Sequence, residues 1–146
     1  MGKAMMKRGN IRAPGQDGFT LLELLVVIVI IGLLAAYVGP KYFSKLSQSK
    51  VTIAKQQIDA FEKSLDTYRL DMGRYPSTEE GLNALLVAPA TATKWHGPYL
   101  NKALPLDPWE HAYVYRAPGS KGDYDLISYG LDGQPGGTGE DADITN

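Results

Sequence analysis

Phe19–Val38 is a run of 20 residues with one charge, Glu23. It limits what the chain can fold into more than any other segment. As a helix it spans about 30 Å, enough to cross the hydrocarbon core of a bilayer. The soluble alternative is a buried core helix, but nothing in the remaining sequence could cover so long and so uniformly apolar a surface. A carboxylate in a membrane-length segment is costly and needs a purpose. Ahead of the run, residues 1–18 hold Lys3, Lys7, Arg8 and Arg12 against Asp17 alone. The positive-inside rule keeps that leader in the cytoplasm and sends the remainder across the membrane. In a secretory signal peptide the cut follows the apolar stretch. Here the small-residue position, Gly18, precedes it, so the apolar helix survives processing.

The leader and run, KRGNIRAPGQDGFTLLELLVVIVIIGLLAA, resemble the leader and N-terminal helix of type IV pilins and type II secretion pseudopilins. Glycine, phenylalanine, threonine, leucine and glutamate stand in the order expected of that superfamily. The resemblance implies that a prepilin peptidase cuts between Gly18 and Phe19 and methylates the new amino terminus of Phe19. It also supports a role for Glu23. A free Phe19 ammonium and the Glu23 carboxylate lie about one helical turn apart, and each is costly alone in hydrocarbon. Pairing between neighbouring subunits neutralises both and sets their axial stagger. A protonated Glu23, or one paired with its own terminus, is the alternative.

Beyond the run, Gly32, Gly39 and Pro40 weaken the helix, and Pro40 predicts a kink or local unwinding nearby. A second helical pattern follows, covering about residues 45–72. Val51, Ala54, Ile58, Phe61, Leu65, Tyr68 and Met72 alternate spacings of three and four, which makes one apolar stripe. The stripe is read as a core-packing face, with Gly73 as its stop. Ser77 or Thr78 is expected to cap a short helix, with Glu79 and Glu80 in its first turn and Leu82, Leu85 and Leu86 turned inward. HAYVYRAP and DYDLISYG alternate like strands, with PGSKG as the turn between them. The expected fold is therefore α+β. A long N-terminal helix, half transmembrane and half amphipathic, packs on a small antiparallel sheet of roughly three strands. The organisation is a leader at 1–18, a transmembrane helix at 19–39 and a globular domain at 40–146.

MGRYPSTEEGLNALL and LPLDPWEHAYVYRAPGSKGDYDLISYGLDG narrow the resemblance to the major pseudopilins of type II secretion systems. Type IV major pilins, the alternative, usually differ here and often carry a disulfide; this chain has no cysteine. The resemblance implies an inner-membrane subunit with its C-terminal domain in the periplasm. It implies a homopolymeric periplasmic filament that supports export of folded proteins, with minor pseudopilins and an inner-membrane assembly platform as partners. Without residues 1–18 the chain has 11 basic and 15 acidic side chains, a balance that argues against nucleic acid as a partner.

The C-terminal stretch YGLDGQPGGTGEDADITN joins Asp132, Glu140, Asp141 and Asp143 to several glycines. Taken by composition it is a solvated tail, and its spacing is not that of an EF-hand. Carboxylates and carbonyls in a flexible loop nonetheless suit Ca²⁺. The family resemblance implies calcium here, held by Asp132, Asp141 and Asp143, with the backbone carbonyls of Tyr129, Leu131 and Thr138 completing the shell. No catalytic constellation is present in the sequence. His96 and His111 lie in no metal-binding spacing, and His111 reads as a strand-edge residue. Ser128 lies in no GxSxG, GQPGGTG lacks the Lys-Ser/Thr of a phosphate loop, and the tryptophans and tyrosines read as packing.

Overall fold

A computed structural model describes Gly2 and residues 18–146; the basic side chains Lys3 to Arg12 lie outside the described residues. Helix α1 runs Leu21–Met72. It opens on a capping box: Glu23 N donates to Thr20 Oγ1 at 3.1 Å, and Thr20 N donates to Glu23 Oε2 at 2.9 Å. Two backbone donors that a helix start leaves orphaned are thereby satisfied. The helix is continuous through Pro40, so the local unwinding expected there is absent. A single proline removes one donor and one turn's clearance, and the flanking turns carry the helix past it. Gly73 ends it at φ 75°, donating to Arg69 O at 2.7 Å, the left-handed terminus that glycine adopts without steric cost.

The chain divides after Pro40 into two compact units. In the first, the most apolar window of α1 has no buried residue. In the second, Ala54, Ile58, Phe61, Leu65 and Tyr68 are each no more than 2% exposed, with Val51 and Met72 packed at the ends of the stripe. Burying each of the large apolar side chains contributes roughly 1.5–3 kcal/mol. Their partners are Leu82 and Leu85 from a short 3₁₀ helix (Leu82–Leu85), together with Trp109, Tyr113, Tyr115, Tyr124, Leu126 and Ile144.

The short helix differs from expectation. Ser77 and Glu80 do form a capping box, with Ser77 N donating to Glu80 Oε2 at 2.8 Å and Glu80 N to Ser77 Oγ at 3.3 Å. That box closes only a turn, because Gly81 takes φ 58° and ψ −166° and breaks the helical path before Leu82. Thr78 is used elsewhere: its Oγ1 donates to Ala117 O and accepts from Ala117 N, both at 2.9 Å. Leu82 and Leu85 are buried as expected, and Leu86 is half-buried.

The sheet holds strands β1 (Val114–Arg116), β2 (Asp125–Ser128) and β3 (Ile144–Thr145) in antiparallel order β1-β2-β3. Tyr115 pairs with Leu126, and Ser128 pairs with Ile144. Buried tyrosines tie the sheet to its surroundings. Tyr113 Oη donates to Gln57 Oε1 of α1 at 2.6 Å, and Tyr115 Oη donates to Pro76 O at 2.9 Å. Burial pushes the Tyr113, Tyr115 and Tyr124 hydroxyls well above the ordinary tyrosine value, so all three remain neutral hydroxyls.

Candidate functional site

The two regions singled out by the sequence lie in different units. At the N-terminal end, Gly18, Phe19 and Thr20 precede α1 without helical structure, and all are exposed. Phe19 is 90% exposed. The Glu23 carboxylate accepts from both Thr20 N and Thr20 Oγ1, at 2.9 and 3.0 Å. Glu23 therefore has a local structural task beyond the one read from its charge.

At the C-terminal end, residues 129–143 form a loop that leaves β2 and returns through a 3₁₀ turn (Gly139–Asp141) into β3. Its arms are joined where Leu131 N donates to Glu140 O at 2.9 Å. Gly130 (φ 64°) backs so closely onto the Glu140 and Ala142 carbonyls that a Cβ would overlap them. Asp132 Oδ1 accepts from Gln134 N at 3.0 Å, and both Asp143 oxygens accept from Gly136 N at 2.9 and 3.0 Å. Asp141 N donates to Thr138 O at 3.2 Å. Asp132 and Asp143 are exposed and Asp141 is half-buried. Among the described residues no three acidic or imidazole side chains converge on one point.

Behind the loop sits Asp107, 4% exposed. Its Oδ1 accepts from Trp109 N at 3.0 Å and His111 N at 2.8 Å, and its Oδ2 accepts from Ser128 Oγ at 2.6 Å. These bonds to the charged form offset the desolvation of a buried carboxylate. Asp107 N donates in turn to His111 O at 2.8 Å, and Glu110 N to Asp107 O at 2.9 Å. This tight turn holds Glu110 at φ 71°. His111 Nδ1 lies 2.9 Å from Gly130 O, which makes it the donor, since a carbonyl only accepts.

The family model of type II secretion system protein G matches residues 41–146, and the prokaryotic N-terminal methylation motif matches residues 14–39. The chain belongs to the type II secretion protein G family. It is 49% identical over 134 residues to type II secretion system core protein G of Pseudomonas aeruginosa, covering 90% of this chain and 94% of that one. Against the protein of the same name from Vibrio cholerae it is 44% identical over 134 residues, covering 90% and 91%. The crystal structure of the major pseudopilin from the type 2 secretion system of enterohaemorrhagic Escherichia coli superposes with a TM-score of 0.60 at 34% identity, covering 71% of this chain and 91% of that chain.

As a protein G, the chain is a major pseudopilin of the type II secretion system, a structural secretion component rather than a member of an enzyme family. The methylation motif implies processing by a prepilin peptidase, and the apolar helix fits a subunit anchored in the inner membrane. The calcium expected of the C-terminal loop finds donors of a suitable kind. Asp132, Glu140, Asp141 and Asp143 offer only hard oxygens, among glycines whose positive φ angles at Gly130, Gly133, Gly136, Gly137 and Gly139 turn the backbone freely. Asp132 and Asp143 are exposed, and each accepts from a loop N–H.

The Thr20–Glu23 box has a local signal in the sequence, a Thr-x-x-Glu pattern before an apolar run, separate from the cost of the charge. His111, expected at a strand edge, lies ahead of β1, and its role and that of Asp107 depend on Gly130 and Ser128, which are 19 and 21 residues away.

Proposed function

We propose that this pseudopilin is cut between Gly18 and Phe19 and polymerises through α1 into a periplasmic filament that supports export of folded proteins across the outer membrane. The leader stays cytoplasmic, the apolar half of α1 spans the inner membrane, and the globular unit stands in the periplasm. Minor pseudopilins and the assembly platform are its partners, alongside further copies of itself. It carries out no chemistry of its own. The observation that carries this reading is the wholly exposed apolar half of α1 in a chain whose second unit has its own closed core. Such a surface demands lipid before assembly and other copies after it.

In this reading the Phe19 ammonium of one subunit meets Glu23 of a neighbour. Glu23→Gln keeps the side-chain acceptor of the capping box and removes the charge, whereas Glu23→Ala removes both. With the assembly machinery co-expressed, both variants insert and neither forms filaments. Filaments from Glu23→Gln at wild-type abundance would refute the charge pairing while leaving the cap intact.

Calcium belongs to the same reading. Asp132, Asp141 and Asp143, with the carbonyls of Tyr129, Leu131 and Thr138, hold the ion. The bound ion supplies the attraction that draws these oxygens together. The chain's own part is to bring the loop's two arms within reach and to fasten β3 to the sheet, so that binding adds to stability.

A further inference from the structure

We propose that His111 and Ser128, both held by the buried Asp107 carboxylate, are positioning residues that fix the Gly130 peptides and so aim the Tyr129 carbonyl toward the calcium loop. The proposal rests on the calcium reading above. Its basis is convergence on a single residue. Ser128 Oγ spends its hydrogen on Asp107 Oδ2 at 2.6 Å and accepts from Gly130 N at 3.4 Å. His111 Nδ1 donates to Gly130 O at 2.9 Å. Leu131 N, on the far side of the same peptide, donates to Glu140 O at 2.9 Å. The C=O and N–H of a trans peptide point in opposite directions, and the peptides on both sides of Gly130 are trans. Fixing Gly130 N–H therefore fixes the Tyr129 carbonyl, and fixing Gly130 O and Leu131 N holds the next plane at both ends.

The His111 ring also lies close to the residue after Asp132. It bonds to Gly130 O, and a Cβ on Gly133 would meet its Cε1 at 3.2 Å. Asp107 binds both members of the clamp, the His111 backbone through Oδ1 and the Ser128 hydroxyl through Oδ2. Asp107 itself does not touch Gly130; it reaches that residue only through His111 and Ser128, each of which bonds to it. Groups that orient a metal's ligands from behind commonly change its affinity by about 10–100-fold when removed.

The test uses the full chain, purified in detergent, stripped with a chelator and titrated with Ca²⁺ by calorimetry, with melting curves taken with and without the ion. His111→Ala removes the donor to Gly130 O. Asn carries its Nδ2 where His carries Nδ1, so His111→Asn keeps it. Wild type is expected to bind calcium and to melt higher with it. His111→Ala should bind about tenfold more weakly, with the Asn variant restoring most of the loss. Ser128→Ala should weaken binding in the same direction; if it does not fold, the His111 pair decides alone. A purely structural clamp would lower the calcium-free melting point and leave the affinity unchanged. That result overturns the proposal, as does a loss in His111→Ala that Asn fails to restore. A wild type that takes up no calcium removes the calcium reading and this proposal with it. Wild-type binding with an unaffected His111→Ala removes this proposal alone.

Discussion

From Leu21 to Val38 the helix α1 carries leucine, isoleucine and valine on every side, and its large apolar residues are all roughly half exposed or more, with Ile28 at 60%. From Val51 to Met72 the same helix keeps one stripe, and Phe61 within it is 1% exposed. Backbone geometry is common to both stretches. What differs is the solvent each was composed for. The second solves its burial within the chain, by period and by a sheet. The first cannot, because an apolar surface all the way round has no inside to turn to within one subunit. One stretch therefore serves folding, and the other serves location and assembly.

That contrast can be broken most directly by truncation. Phe61→Ala should cost the globular unit about 3–5 kcal/mol, seen as a large drop in its thermal midpoint by circular dichroism. Ile28→Ala should leave that midpoint where it was. Equal losses from the two would mean that the two stretches share a core, contrary to the division drawn here. A smaller effect of opposite sign is expected at Glu110, which a turn holds at φ 71°. Glu110→Gly should raise the midpoint by an amount on the order of 1 kcal/mol of relieved strain, and a lowered midpoint would show that its side chain matters more than its backbone.

The smallest effect concerns pH. The Arg74 guanidinium, whose bonds to Glu80 measure 2.6 and 2.7 Å, holds the Glu80 carboxyl below its ordinary value, helped by Ser77 N. A depressed carboxylate contributes stability that is complete above the ordinary glutamate value and lost as pH falls through the folded one. Glu80→Gln should therefore flatten the acid side of the melting profile slightly and leave the neutral side parallel to wild type. The exposed Arg74 side chain limits the size of the change. An unaltered acid slope would mean that the pair adds nothing beyond its geometry.

Much of the fold was written in spacing. The stripe from Val51 to Met72, the stop at Gly73 and the alternation around Tyr115 and Leu126 all follow from local periodicity, although the strands are shorter than HAYVYRAP and DYDLISYG and keep only Val114–Arg116 and Asp125–Ser128. The third strand was expected only as a number, because Ile144 and Thr145 are too short a pair to show a period of their own. Gly81 shortened a helix that its leucines and glutamates favoured, since one positive-φ residue outweighs several mild propensities. The polar anchors were the least legible. Asp107 sits in a stretch rich in proline and aromatics that reads as an ordered loop, and its buried carboxylate is bonded to a hydroxyl contributed by a distant strand. The loop acids were legible as a chemical class, and their present partners, the N–H groups of Gln134 and Gly136, were not.

The cap on α1 bears on what happens after the leader is gone. A cut behind Gly18 leaves Phe19 as the only residue ahead of Thr20, so the whole capping box remains with the mature subunit. Backbone donors without partners cost several kcal/mol each in hydrocarbon. A helix whose first turn relied on its leader would face that penalty on being trimmed. If the chain is cut there as proposed, both halves of the closure stay with the shortened helix, whose first turn then does not depend on the leader.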